Sequence, residues 1–320
     1  MDVVGIDRPC MDCLIRVKQL PQPNQGAHVE ENSWQGGGKV ATALAALGRL
    51  GAECAIIGDT GSDSYGQFCK NDLEYHHVDT ARLRVHEGAQ TSLCFVLSDE
   101  ETHGRSIMGK GGTCPKFTLD DEDKALIKSA KILHLSWADQ NCLEAAKVAK
   151  ENGVIVTFDG DYYHEEVNEL LPYIDAFIGS EFFFDAYFKD DPETDRQKRC
   201  EKIRAKGPKI CVFTFGADGC VVDSDEGYFE VPAAEVPRIV DTVGAGDVFH
   251  GAFLFGMLQK DWSLKKIAEF AGVVASLKCM QIGGRAGIPD FKTAEHFYQT
   301  GEILESDIPE RVAKYSSFAI

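Results

Sequence analysis

Short apolar or β-branched runs alternate along this chain with longer segments of helical period. Strand-like runs fall at 2–6, 54–57, 132–135, 154–158, 176–178 and 210–213, and helical ones at 40–50, 65–73, 141–152 and 248–258. Strand and helix in turn predict parallel pairing with crossover helices on both faces of a sheet. The expected fold is therefore α/β, a doubly wound and mostly parallel sheet. Two regions, about 10–34 and 84–110, break the rhythm with paired extended patterns and polar turns such as SDEETHGR. These read as hairpin strands forming a small β-sheet attached to the main one. No repeat, low-complexity tract or proline-rich linker is visible, so residues 1–320 are read as one domain.

Composition narrows the function. A chain of 320 residues with 44% hydrophobic positions can bury a sizeable core. Its formal net charge of −18 argues against nucleic acid and against an anionic membrane surface, leaving a small molecule as the expected partner. The longest nearly apolar run, 248–258, falls well short of the roughly 18 residues of a membrane span. The opening MDVVGIDRPC has no basic stretch followed by an apolar one, which predicts a cytoplasmic protein whose eleven cysteines stay reduced. Cys10 and Cys13 form a lone CxxC without a second pair or a strand-to-helix context, so they read as buried small residues.

Two glycine-rich stretches carry the candidate chemistry. The first, DTVGAGDVFHGAFLFGML at 241–258, places Asp247 directly after Gly244-Ala245-Gly246 and before an apolar face formed by Phe249, Phe253 and Met257. The amides of such a turn sit at a helix N-terminus, where they favour an anion such as a phosphoryl group. A carboxylate beside that group can accept or orient the proton of an attacking hydroxyl, as phosphoryl transfer requires. The same spacing also suits a capped helix packed closely against its neighbours. The second stretch, Gly36-Gly37-Gly38-Lys39, runs into an Ala-rich helical segment, with Lys39 placed to meet negative charge. It is not a Walker A motif, because Val40 stands where Ser or Thr is needed, and it is not a Rossmann fingerprint, because a polar hairpin precedes it.

Taken in order, these motifs resemble the signatures of the ribokinase/PfkB carbohydrate kinases: GGK with a downstream Arg49, then Asp241-Thr242-Val243-Gly244-Ala245-Gly246-Asp247. Gly58-Asp59, Gly104-Arg105, the loop Thr214 to Gly219, and Gly283 followed by Pro289 match in sequence order, so the resemblance spans nearly the whole chain. It implies ATP-dependent phosphorylation of a primary hydroxyl on a sugar or sugar derivative, with Mg²⁺ and ATP, and a small β lid over the sugar. It further implies Asp247 as catalytic base, with Gly244, Ala245 and Gly246 as the anion hole. Asp12, Gly37, Gly38, Lys39 and Thr42 match sugar-contacting positions, and Thr91 and Arg105 lie on the expected lid. Thr214, Gly216 and Gly219 match the nucleotide loop, with Ser180 and Glu181 beside it. Asp241 stands where many relatives bind a monovalent cation, K⁺ included, and the lid implies a homodimer.

Two departures bear on substrate. Thr42 replaces the family's usual Asn, exchanging an amide that both donates and accepts for a shorter hydroxyl. Where the family commonly carries Asn-x-x-Glu, this chain reads Ser180-Glu181-Phe182-Phe183, so the carboxylate expected to organise Mg²⁺ is missing: either Glu181 or Asp185 substitutes, or Mg²⁺ relies on substrate phosphates and solvent. That Ser-Glu variant is similar to sulfofructose kinases and some other sugar-phosphate kinases of the family. Lys39, Arg105, Lys110 and His103 would supply positive charge for a phosphorylated or sulfonated sugar, while a neutral hexose or pentose stays open as the acceptor. A nucleoside kinase of the same fold and a catalytically silent sugar or nucleotide sensor are the alternatives. A dinucleotide-dependent oxidoreductase would need GxGxxG after the first strand, which VVGIDRPC lacks.

Overall fold

A computed structural model of the chain describes residues 1–102, 104–115 and 117–317. His103, named above as a source of charge, lies outside the described residues. The strands in chain order are β1 Val3–Asp7, β2 Cys10–Val17, β3 Val29–Gly36, β4 Cys54–Gly61, β5 Val78–His86, β6 Ser92–Asp99, β7 Arg105–Lys110, β8 Ile132–Leu135, β9 Ile155–Gly160, β10 Ala176–Ser180, β11 Ile210–Thr214, β12 Cys220–Ser224 and β13 Gly227–Val231. Among the described residues, nine of these form a large sheet in the order β13-β12-β11-β10-β9-β8-β1-β4-β5. Neighbours from β11 through β5 pair in parallel. The hairpin β12–β13 closes one edge antiparallel.

Both faces of this sheet are covered, as continuous apolar strands such as the fully buried VVGID of β1 require. One core joins β1 and β4 to the helices Lys39–Leu50, Ala245–Met257 and Leu264–Lys278. The other joins the opposite face to the helices Asp121–Ser129, Gln140–Glu151, Glu181–Tyr187 and Arg196–Arg204. The α/β doubly wound expectation holds. The predicted hairpin regions do form a separate sheet, in the order β3-β2-β6-β7. Antiparallel pairs β2–β3 and β6–β7 are joined through the parallel pair β2–β6. Residues 84–86, assigned above to that small sheet, instead end β5 at the edge of the large one. Their pattern VDTARLRVH alternates like a half-covered edge strand, which sequence alone does not separate from a hairpin strand.

One packing contact matters most for the site. A Cβ on Gly251 would lie 2.3 Å from the Ala43 carbonyl oxygen and 2.8 Å from the Ala46 Cβ. The helices Lys39–Leu50 and Ala245–Met257 therefore touch almost backbone to backbone, and each begins at one of the two glycine-rich turns. Small residues at this crossing fix the distance between Lys39 and Asp247.

Candidate active site

The phosphate-type turn forms as its glycines dictate. Gly244 takes φ 73°, a left-handed conformation unfavourable to residues with a Cβ, and caps the helix Ala245–Met257. Asp247 falls in the first turn of that helix, half-buried, with Gly246 exposed. On the facing helix, Gly38 at φ 100° is the cap and Lys39 the first residue. Glycine at position 37 has a different cause: a Cβ there would sit 2.3 Å from both carboxylate oxygens of Asp12. Asp12, on β2, thus brings the smaller sheet against the glycine turn.

Carboxylates gather around the Lys39 ammonium. Its Nζ lies 2.9 Å from Asp161 Oδ2 and within 5.5 and 5.6 Å of the Trp137 and Tyr162 ring centres. Asp159, at the end of β9, is buried, with Oδ1 3.4 Å from His250 Nε2. Asp7, at the end of β1, accepts from the amides of Arg8 at 2.8 Å and Ala41 at 2.9 Å. Burial alone would lower the Lys39 pKa, but Asp159, Asp161 and Asp247 outweigh it and the ammonium is held more firmly charged. Burial, reinforced by Asp159 and opposed by Lys39, raises Asp247 well above the usual carboxylate range. Burial likewise pushes Asp159 up to about 6, against the pull of Lys39. Asp12 rises to about 6 through burial, opposed by the Cys10 thiol that donates to it at 3.2 Å and by Arg285. Burial drives His250 down to about 3, leaving a neutral ring behind Asp159.

The other predicted residues divide. Thr42 is buried, and its hydroxyl accepts from Arg285 Nε at 3.4 Å. Thr91 is buried with its hydroxyl shared among Thr60, the Gly61 amide and Asp63. Arg105, at the start of β7, donates to the Thr242 hydroxyl at 3.2 Å and lines a cavity of about 320 Å³ with Arg16, Arg238 and Asp241. That cavity flanks the 238–242 segment and is lined by neither Lys39 nor Asp247. Lys110 is exposed on β7. Ser180 caps the helix Glu181–Tyr187 and donates to the Asp161 carbonyl at 2.6 Å, so it positions the strand end carrying Asp161. Glu181 and Asp185 are exposed on that helix. Thr214 ends β11 and donates to the Gly179 carbonyl at 3.4 Å, and Gly216 and Gly219 take positive φ in the turn that follows. The Cys10 and Cys13 thiols are both pushed up by burial, the opposite of what a metal-binding or redox pair requires.

Asp7, Asp159, Asp161 and Arg285 were not picked out from sequence. A signal existed for two of them: DGD directly follows the apolar run at 154–158, and the carboxyl ends of parallel strands are where ligands bind in such sheets. Arg285 gave none. It is fully buried, donating to Asp72 at 2.7 Å, to the Gly37 carbonyl at 2.9 Å and to Thr42.

A doubly wound sheet, an anion-type turn with a carboxylate in its first helical turn, and a charged lysine on the facing helix define a phosphotransferase of the ribokinase-like class. The chain belongs to the pfkB family of carbohydrate kinases, whose family profile matches residues 2–290, and it is an ATP-dependent kinase with an alcohol group as acceptor. It is 28% identical over 281 residues to the ATP-dependent ribose-1-phosphate kinase of Halopiger xanaduensis, covering 86% of this chain and 90% of that protein. It is also 28% identical over 301 residues to the nucleoside kinase of Methanothermobacter thermautotrophicus, covering 90% and 93%. Among solved structures, Arabidopsis thaliana ribokinase complexed with ribose and ATP superposes with a TM-score of 0.81 at 23% identity, over 93% of this chain and 98% of that one.

Proposed function

We propose that this enzyme transfers the γ-phosphoryl group of ATP to a primary hydroxyl of a sugar or sugar derivative, with Asp247 accepting or orienting the hydroxyl proton. The observation that carries this reading is the placement of Asp247 in the first turn after Gly244, on a helix packed almost backbone to backbone against the one that begins at Lys39. The Gly244–Gly246 amides would take up charge on the transferring group, and Lys39 would neutralise it from the other side. Asp12, ionised and backed by a thiol donor, suits a sugar hydroxyl, with Gly37 and Gly38 offering close backbone approach. The loop from Thr214 to Gly219 and the Ser180-Glu181 helix start lie at the ends of β11 and β10, suited to the nucleotide. Asp161 and Glu181, at the ends of β9 and β10, are hard oxygen donors of the kind Mg²⁺ takes, and the ion would neutralise phosphate charge when bound with ATP. The smaller sheet would act as a lid that excludes water once Asp12 is engaged.

Asp247→Asn is expected to lower kcat by about 10²–10⁴-fold, the usual range for losing a proton-transfer group, with circular dichroism unchanged. Near-normal turnover in a folded variant would remove Asp247 from the mechanism. Substrate class is read by ADP release against neutral sugars, sugar phosphates, sulfosugars and nucleosides. A nucleoside acceptor is the second reading, favoured by the exposed Trp137 and Tyr162 rings beside Lys39, flat faces on which a base can stack.

A further inference from the structure

The monovalent cation implied near Asp241 does not fit the residues found there. Asp241 is buried, and its carboxylate is already engaged. Oδ1 accepts from the Val243 amide at 3.0 Å and the Ser98 hydroxyl at 3.3 Å, and Oδ2 from the Gly283 amide at 2.8 Å. The carbonyls of the same segment hold a different cation. Lys278, the last residue of the helix Leu264–Lys278 and fully buried, donates from Nζ to the Asp241 carbonyl at 3.0 Å and to the Val243 carbonyl.

A fully buried lysine is rare, because moving an ammonium out of water costs several kcal/mol unless strong acceptors receive it. Carbonyl oxygens that replace a hydration shell are how proteins hold alkali cations, and the same oxygens suit the three donors of an ammonium. The Val243 carbonyl lies immediately before Gly244 and the Asp241 carbonyl two residues earlier, in the segment that leads into the turn whose amides the reading above assigns to the phosphoryl group. Left without a positive partner, their negative ends would stand close to a group that gains negative charge.

We propose that Lys278 is a positioning residue that takes the place of a monovalent cation, so this kinase works without K⁺. Its ammonium fixes the Asp241–Val243 backbone, and through it the Gly244–Gly246 amides, while neutralising those carbonyls. The proposal rests on the phosphoryl-transfer reading above for its effect on turnover, and on geometry alone for its effect on cation binding.

Wild-type ADP release in buffers whose cation is potassium, sodium or tetramethylammonium is expected to agree within about twofold at matched ionic strength. Stimulation by potassium of about fivefold or more overturns the proposal. Lys278→Ala is expected to lose about tenfold or more in kcat in tetramethylammonium buffer, with the sugar KM little changed, and to recover with potassium or with propylammonium. Thermal unfolding gives a readout apart from turnover: the variant's Tm should rise with potassium but not with tetramethylammonium, whereas the wild-type Tm should respond to neither. Should Lys278→Ala fail to fold, Lys278→Gln, which keeps a donor without the charge, takes its place in both measurements. A folded variant with undiminished kcat, or one whose loss neither cation repairs and whose Tm ignores potassium, overturns the proposal. If no acceptor alcohol supports ADP release by the wild type, the kinase reading fails, and the potassium-specific Tm shift still decides the role of Lys278.

Discussion

A carboxylate crowded by other carboxylates holds its proton more tightly, and Asp247 is in that position. Burial, Asp159, Asp161 and Asp7 all push its pKa upward, against Lys39. A proton acceptor must be ionised, so activity is lost as pH falls through the raised value and is complete above it. The acid limb of kcat/KM for the free enzyme should therefore lie well above the ordinary aspartate range. Asp159→Asn removes a like charge, lowers the Asp247 pKa, and should move that limb toward lower pH; a limb that stays put would mean another group sets it. Asp12 makes a separate prediction: Asp12→Ala should raise the sugar KM by about tenfold or more while the ATP KM stays near normal, since a buried site left without its hydroxyl partner discriminates strongly. Equal changes in both constants would place Asp12 outside the acceptor site.

At the scale of elements, two helices that begin at glycine turns are held at a fixed spacing by Gly251 against Ala43 and Ala46. Gly251→Val should cost about 1–3 kcal/mol by overpacking and reduce turnover further than stability alone explains, because it moves Lys39 away from Asp247. Urea unfolding beside kinetics separates the two effects. Arg285 plays the same part for the turn at Gly37. It ties that carbonyl to Asp72, whose other oxygen accepts from Tyr315 in the helix Ile308–Ser316. Arg285→Met would leave the buried Asp72 carboxylate without its cationic partner and is expected to destabilise by about 3–5 kcal/mol. Both turns were legible in the sequence because Gly-Gly-Lys and Gly-Ala-Gly-Asp are local conformational demands. Arg285 and Lys278 were not, because a buried cation is defined by acceptors that lie 213 and 37 residues away in sequence.

For the whole molecule, the smaller sheet leaves Phe95 and Met108, cross-strand partners on one face of β6 and β7, exposed, with Met108 54% accessible. We propose that this face meets a second copy of the chain, as the lid reading implies, and Met108→Glu should shift the mass measured by light scattering from dimer toward monomer. A wild-type monomer at micromolar concentration would refute it. Among the described residues no helix is long and apolar enough to cross a membrane.

By itself the sequence determined the alternation of strands and helices, the presence of a second small sheet, and the two glycine turns, since each follows from short-range periodicity or from a conformation that a side chain forbids. Tertiary structure alone decided what surrounds those turns: that Asp159 and Asp161 crowd Asp247, that Arg285 props Gly37, and that an ammonium sits on the Asp241 and Val243 carbonyls. Burial and charge act through space. A chain read in one dimension shows which groups can ionise, and only the folded arrangement sets which are driven to share protons or replace an ion.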